Sequence, residues 1–222
     1  MQNWLFDIRS RSFVLLTALF LILTAFVLSE LTEDFDQSII LFVSENVGNP
    51  NLDIFMQYVT ESGDVFNMMI FAIIVLLIPK TRRIGITLLI LIVIATLLTG
   101  YIKCGVDRDR PDFEYIGVEF PVQISHDTFA LFCEGGYDAS YPSGHAARSM
   151  IFAIILGYAL SERFPRGAYL IFIYPAMISL SRLYVLQHFP MDVIGGTVIG
   201  VMLAGVMANR TKLYQIFDKS KS

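Results

Sequence analysis

The chain has 222 residues, 55% of them hydrophobic and 16% charged, and a formal net charge of −4. Soluble domains average roughly 45–50% apolar and about 25% charged residues, so the composition excludes an ordinary water-soluble domain. One integral membrane domain over residues 1–222 is the natural class; the net charge by itself implies little, and no nucleic-acid partner is expected.

Long apolar runs fall at residues 12–28, 65–78, 84–102, 146–160, 168–186 and 193–207. A helical span needs about 20 mostly apolar residues, so the shorter runs must be completed by flanking polar residues. The pattern predicts an all-α integral membrane protein, a six-transmembrane-helix bundle. The first run sits where a secretory leader would. It is long for one, no small-x-small cleavage site precedes Glu30, and it is expected to be a retained span.

Basic residues set the orientation. Arg9 and Arg11 precede the first run, and Lys80, Arg82 and Arg83 join the second and third. Arg163 and Arg166 join the fourth and fifth, while Arg210, Lys212, Lys219 and Lys221 follow the sixth. These four segments hold 11 of the 16 Lys and Arg residues and alternate as one side of a six-span protein should. Residues 30–64 carry eight acids and no Lys or Arg. A multi-pass protein of the cell (inner) membrane with both termini cytoplasmic is expected. Residues 29–64, 103–144 and 187–192 would then face the periplasmic or extracellular side.

Amphipathic bursts at residues 38–43 and 52–59, separated by Asn49-Pro50-Asn51, predict two short interfacial helices on the outer side. The loop 112–141 carries Phe113, Phe120, Tyr137, Tyr141 and further aromatics among acids. Such residues either anchor a chain at headgroup level or wall a path for a lipid. Cys104 and Cys133 both map outward, where a disulfide is permitted and two free thiols fit the spacing equally well. Gly196, Gly200 and Ala204 place small residues on one helical face, which lets helices approach closely in lipid. Contact within the bundle is the expected use, and the stripe says nothing about oligomeric state.

Three short stretches carry chemistry: Lys103-x6-Arg110-Pro111, Pro142-Ser143-Gly144-His145 and Ser181-Arg182-x5-His188-x3-Asp192. A phosphoryl group in flight carries negative charge on three equatorial oxygens. Catalysis needs fixed cations around them, an in-line nucleophile and an acid for the leaving oxygen. The planar fork of Arg holds two oxygens at once, which suits Arg110 and Arg182; Lys103 suits a point-charge contact. Cations are costly near a membrane interior. Snorkelling explains any one of these three, but not three that recur beside two histidines.

Ser143 fits a helix N-cap and Gly144 lets backbone approach a ligand. With free amides and the helix dipole, such a start binds anions, and His145 follows directly. Pro190 fits the first turn of the sixth span, where His188 and Asp192, four residues apart, share a face. Asp192 is expected to hold one imidazole nitrogen and leave the other free to attack phosphorus. A merely structural hydrogen bond is the alternative.

Together the motifs resemble the signature of the type 2 phosphatidic acid phosphatase superfamily, with no departure at any signature position from Lys103 to Asp192. The resemblance implies a six-span helical core and a membrane lipid phosphatase acting through a phosphohistidine. It implies His188 as nucleophile, Asp192 as its partner and His145 as general acid. Lys103, Arg110, Ser143, Gly144 and Arg182 would hold the phosphate. No cofactor is implied and no metal either, since no Cys, His and carboxylate cluster has ligand spacing. Asp107, Asp109, Asp112 and Glu114 read as an acidic surface, and His126, outside every motif, as a loop residue. The expected partner is a membrane lipid phosphate or pyrophosphate of the phosphatidate, phosphatidylglycerol phosphate, polyprenyl pyrophosphate or lipid A class. A phosphotransferase with the same intermediate and a non-catalytic binder of anionic lipid are the competing readings. Binding alone needs only the cations, which leaves both histidines and Asp192 unexplained.

Overall fold

The computed structural model describes residues 6–112, 139–161 and 163–211. Helix α1 (Arg11–Leu28) starts where Ser10 Oγ accepts the Phe13 N–H at 3.2 Å. It ends before Glu30, whose φ of 60° lies in the left-handed region. Helix α2 (Glu33–Asn46) follows, with Glu33, Asp34 and Asp36 in its first turn, where the helix dipole favours acids. Asn49 caps α3 (Pro50–Ser62) by accepting the Asn51 N–H at 3.0 Å, and Pro50 opens the first turn. Asp64 caps α4 (Val65–Leu77) through the Phe66 N–H at 2.8 Å, and α3 and α4 meet at a bend of 56°.

Helix α5 (Arg82–Val106) stops at Asp107, which is left-handed with φ 50°. Helix α6 (Gly144–Leu160) starts on Ser143. A short 3-10 helix (Gly167–Phe172) leads into α7 (Ile173–Tyr184), and α8 (Pro190–Thr211) follows. The fifth apolar run is therefore two elements. Pro175 has no N–H to donate to the carbonyl four residues back, and regular helix begins only at Ile173.

The described residues are all helix, turn and loop, with no strand. Helices α1, α5 and α8 are long and apolar enough to cross a membrane, and the bent α3–α4 pair makes a fourth candidate. Helices α4, α6 and α7, at 13, 17 and 12 residues, are each shorter than a full span. The molecule is a multi-pass membrane protein by this measure. Its burial pattern agrees: Leu15 and Leu77 are 69% and 71% exposed, whereas Asp36 and Asp192 are 0% exposed. Water would penalise that distribution; lipid does not.

Helix α6 is the hub. Its Ile151, Ile154 and Ile155 pack with Leu88 and Ile92 of α5, Met68 of α4, and Ala204 and Ala208 of α8. In lipid, close contact supplies the stabilisation that water exclusion supplies elsewhere. The small-residue stripe of α8 seats it on α6 inside the chain. A Cβ at Gly196 would lie 2.1 Å from Ser143 O, and one at Gly200 would lie 2.5 Å from Ala147 O.

Tyr141 departs from the reading of its loop as a headgroup anchor. It is 0% exposed, it stacks on Phe20 with ring centroids 6.1 Å apart, and its hydroxyl pairs with Thr24 Oγ1 at 2.9 Å. Adjacent Pro142 and Ser143 are buried as well, so the second motif draws Tyr141 inward. The other aromatics of that loop, with Glu114, His126 and Cys133, lie outside the described residues. Cys104 is disulfide-bonded.

Candidate active site

The three motifs meet at one end of the bundle, where α5 and α7 finish and α6 and α8 begin. Main-chain bonds join them. The Ser140 N–H donates to Arg108 O at 2.7 Å, and the Ser143 N–H donates to Asp192 O at 2.9 Å. The Lys103 ammonium, in the last turn of α5, donates to Ala139 O. Ser143 Oγ caps α6 at the Ala146 N–H, 3.5 Å away, as its position in the sequence predicts. Gly144 and His145 then form the first turn of α6, both half-buried.

Arg182, at the end of α7, is 7% exposed and donates to Thr60 Oγ1 of α3 at 3.0 Å. The chain then turns at Leu186, with φ 57°, and places Gln187 where Arg110 donates to its side-chain oxygen. His188 follows, 2% exposed. It stands just ahead of α8 rather than inside its first turn, because Pro190 opens the helix. Its Nδ1 lies 3.5 Å from Asp192 Oδ2, a contact longer than a made hydrogen bond. Asp192 Oδ2 accepts the Phe189 N–H at 2.8 Å, the return arm of a capping box.

Four cations surround the two imidazoles. Arg182, Lys103 and Arg110 act electrostatically on both His188 and His145, and Arg148 acts on His145. Burial first, then Arg182, Lys103 and Arg110, push the pKa of the His188 imidazole well below its ordinary value. All eight residues anticipated from the sequence are thus gathered in one place: His188, His145, Asp192, Lys103, Arg110, Ser143, Gly144 and Arg182.

Four further residues join them. Gln187 and Thr60 orient Arg110 and Arg182. Arg148 is 6% exposed, one turn into α6, and donates to Gly63 O at 3.4 Å. Arg108 carries the densest network: Nη1 donates to Asp192 Oδ1 at 2.9 Å, and Nη2 to Asp36 Oδ2 at 2.8 Å and Glu33 Oε2 at 3.0 Å. Its guanidinium also lies 4.2 Å from the Phe189 ring centroid. Burial works against the charge of Arg108, but Asp192, Asp36 and Glu33 raise its pKa above the ordinary value. The sequence held a signal for the two arginines. They are the only Lys or Arg outside both the four basic segments and the three motifs' assigned cations.

A cavity of about 550 Å³ opens beside the site, with Arg108 and Arg110 on its wall together with Glu30, Glu33, Asp107 and Asp109. Asp107, Asp109 and Asp112 are exposed around it, as expected of an acidic surface. No group of three or more His, Cys, Asp and Glu side chains among the described residues could hold a metal ion. What is gathered here is a cluster of cations around two imidazoles.

Known proteins share this helical membrane architecture. Residues 84–214, more than half of the chain, match the PAP2 superfamily. An undecaprenyl-diphosphatase of Sulfolobus acidocaldarius is 31% identical over 146 residues, which is 65% of this chain and 64% of that protein. Glucose-6-phosphatase 3 of Mus musculus is 30% identical over 185 residues, 74% of this chain and 50% of that protein. The chain therefore spans between half and just under two-thirds of these relatives' lengths. Among solved structures, the PAP2-type phosphatidylglycerolphosphate phosphatase of Bacillus subtilis superposes with a TM-score of 0.68 at 24% identity, covering 94% of this chain and 96% of that one. LpxE of Aquifex aeolicus gives 0.57 at 21% identity, covering 77% and 92%. The two structures share the fold. The chain belongs to the PAP2 superfamily.

Proposed function

We propose that this protein is a membrane lipid phosphatase that hydrolyses a lipid phosphate or pyrophosphate through a phosphohistidine, without a metal. One observation carries the reading: Lys103, Arg110 and Arg182 converge on two buried or half-buried imidazoles at one end of the bundle. One of the relatives, an undecaprenyl-diphosphatase, supports a lipid substrate.

In this mechanism the cations and the α6 amides hold the phosphate. Asp192 faces Nδ1 of His188, which leaves Nε2 to attack phosphorus. As the P–N bond forms, the bond to the lipid oxygen breaks and His145 supplies the proton that oxygen needs. Water then attacks the phosphoimidazole, His145 recovers a proton from it, the P–N bond breaks and phosphate leaves.

The same reading takes the protein as a six-span bundle, with the 3-10 helix and α7 together as its fifth span and α2 and α3 as outer interfacial helices. Both termini are cytoplasmic and the site opens on the periplasmic or extracellular face. The support is the placement of 11 of 16 basic residues in four alternating segments. Lipid tails then remain in the bilayer while only the headgroup is captured.

The test is phosphate release by pure protein in detergent with EDTA. The panel holds phosphatidate, phosphatidylglycerol phosphate, a polyprenyl pyrophosphate and glucose 6-phosphate. Release from a lipid substrate, blocked by vanadate, is expected. Release only after adding magnesium would overturn the metal-free mechanism, and release only from glucose 6-phosphate would overturn the lipid substrate. Transfer of the phosphoryl group to an added acceptor lipid, with no free phosphate released, would make the protein a phosphotransferase. For orientation, Ser38→Cys should react with an impermeant thiol reagent in intact cells and Ser161→Cys only after the membrane is opened; the reverse pattern would refute the outward-facing site.

A further inference from the structure

We infer that Arg108, braced by Asp36 and Glu33 of α2, is a positioning residue that sets the Asp192 carboxylate against His188. The inference rests on the phosphohistidine reading above and adds to it a connection from the interfacial helix α2 to the nucleophile.

The geometry is a chain of made hydrogen bonds. Asp192 is 0% exposed, and its two oxygens are held differently. Oδ1 accepts from Arg108 at 2.9 Å, while Oδ2 accepts the Phe189 N–H at 2.8 Å and faces His188 Nδ1 at 3.5 Å. Two anchors on one carboxylate fix its plane, so Oδ2 stays on the imidazole side. Arg108 has little freedom of its own. Its other arm reaches Asp36 at 2.8 Å and Glu33 at 3.0 Å, and Phe189 lies against its face. Asp36, also 0% exposed, uses its second oxygen to accept the Met191 N–H at 3.1 Å, so α2 grips the first turn of α8 directly.

Charge explains why two acids stand behind one arginine. A lone Arg108 beside Asp192 would neutralise the carboxylate that His188 needs when it becomes a cationic phosphoimidazole. Glu33 and Asp36 share the guanidinium charge, so Asp192 keeps negative charge for the imidazole. Removing Arg108 leaves Asp192 buried beside two other acids, free to rotate or to take a proton. Partners of this kind typically matter by one or two powers of ten. Asp36 and Glu33 fall outside residues 84–214, the stretch that matches the family, so the brace comes from a helix that the match does not include.

The test compares Arg108→Gln, Arg108→Lys, Asp36→Asn, Asp192→Asn and the double variant Arg108→Gln/Asp192→Asn, each in detergent with its thermal midpoint measured. With a lipid substrate that the wild type turns over, Arg108→Gln should lower kcat about 10²-fold with KM within about threefold. Arg108→Lys should recover at least about tenfold, and Asp36→Asn should lose about tenfold. The double variant should be no worse than Asp192→Asn, because Arg108 acts through Asp192. Should Arg108→Gln not fold, Asp36→Asn and its double with Asp192→Asn carry the same comparison. Losses that multiply in the double variant, or a loss appearing chiefly in KM, would mean that Arg108 holds phosphate itself and would end the proposal. Wild-type protein inactive on the whole panel would instead remove the phosphatase reading and this inference with it.

Discussion

Helices α1 and α8 are both long, apolar and able to cross a membrane, yet 6% of the apolar stretch of α1 is buried inside the protein against 56% of that of α8. Mean apolarity does not explain this, since α1 is the more apolar of the two. Helix α8 carries Gly196 and Gly200, which admit the α6 backbone, and its first turn holds Asp192, whose carbonyl and carboxylate bind two other segments. Helix α1 turns Leu15, Leu21 and Leu28 outward and reaches the site region through Phe20 and Thr24, both on Tyr141. In lipid, small and polar residues decide which helix is core.

The comparison can be broken at the head of α8. His188→Ala should lower turnover by several powers of ten while leaving the fold intact, because no neighbour replaces the nucleophile. Activity within about tenfold of wild type would remove His188 from the chemistry. On α6, opposite α8, His145→Ala should cost a lipid phosphate much more rate than an aryl phosphate. A lipid alkoxide needs a proton as it leaves, and a nitrophenolate hardly does. Equal losses on both substrates would exclude His145 as the acid.

Packing gives a smaller contrast. Gly196→Ala drives a Cβ into Ser143 O and should destabilise by about 1–3 kcal/mol, with Ser143 displaced and activity lost beyond the stability change. Leu15→Ala on α1 should stay within about 0.5 kcal/mol. Thermal midpoints in one detergent measure both, and similar shifts would erase the distinction between the helices. The smallest effect belongs to the polar tie of α1. Thr24→Val removes its hydroxyl from Tyr141 and should cost about 1 kcal/mol, read as a lower midpoint with turnover nearly unchanged.

Local signals were readable in the sequence where one residue decides the outcome. Asn49-Pro50 opens α3, Ser143 caps α6 and Pro190 opens α8, each as its chemistry dictates. The eight candidate residues come together because their motifs sit at or beside helix ends on one side of the bundle. Other features depend on neighbours distant in sequence. Arg108 lies in a loop without periodicity, and its partners Glu33 and Asp36 are more than 70 residues away, on a helix that reads as merely amphipathic. Burial of Tyr141 follows from packing against α1, which no local pattern announces. The bend between α3 and α4 likewise needs the bundle, since Asp64 is an ordinary cap by itself.

The main-chain bonds from Ser140 to Arg108 and from Ser143 to Asp192 have a consequence for how the sequence can drift. Every residue except proline owns the same amide and carbonyl, so these joints do not depend on which side chain a mutation supplies. At residue 140 the buried Ser140 hydroxyl has no hydrogen-bond partner among the described residues. Alanine there keeps the joint and sheds an unmet polar atom, whereas proline deletes the one group that matters. The scaffold of the site is thus written in atoms that most substitutions cannot erase, and selection is left free to act on the few side chains gathered there.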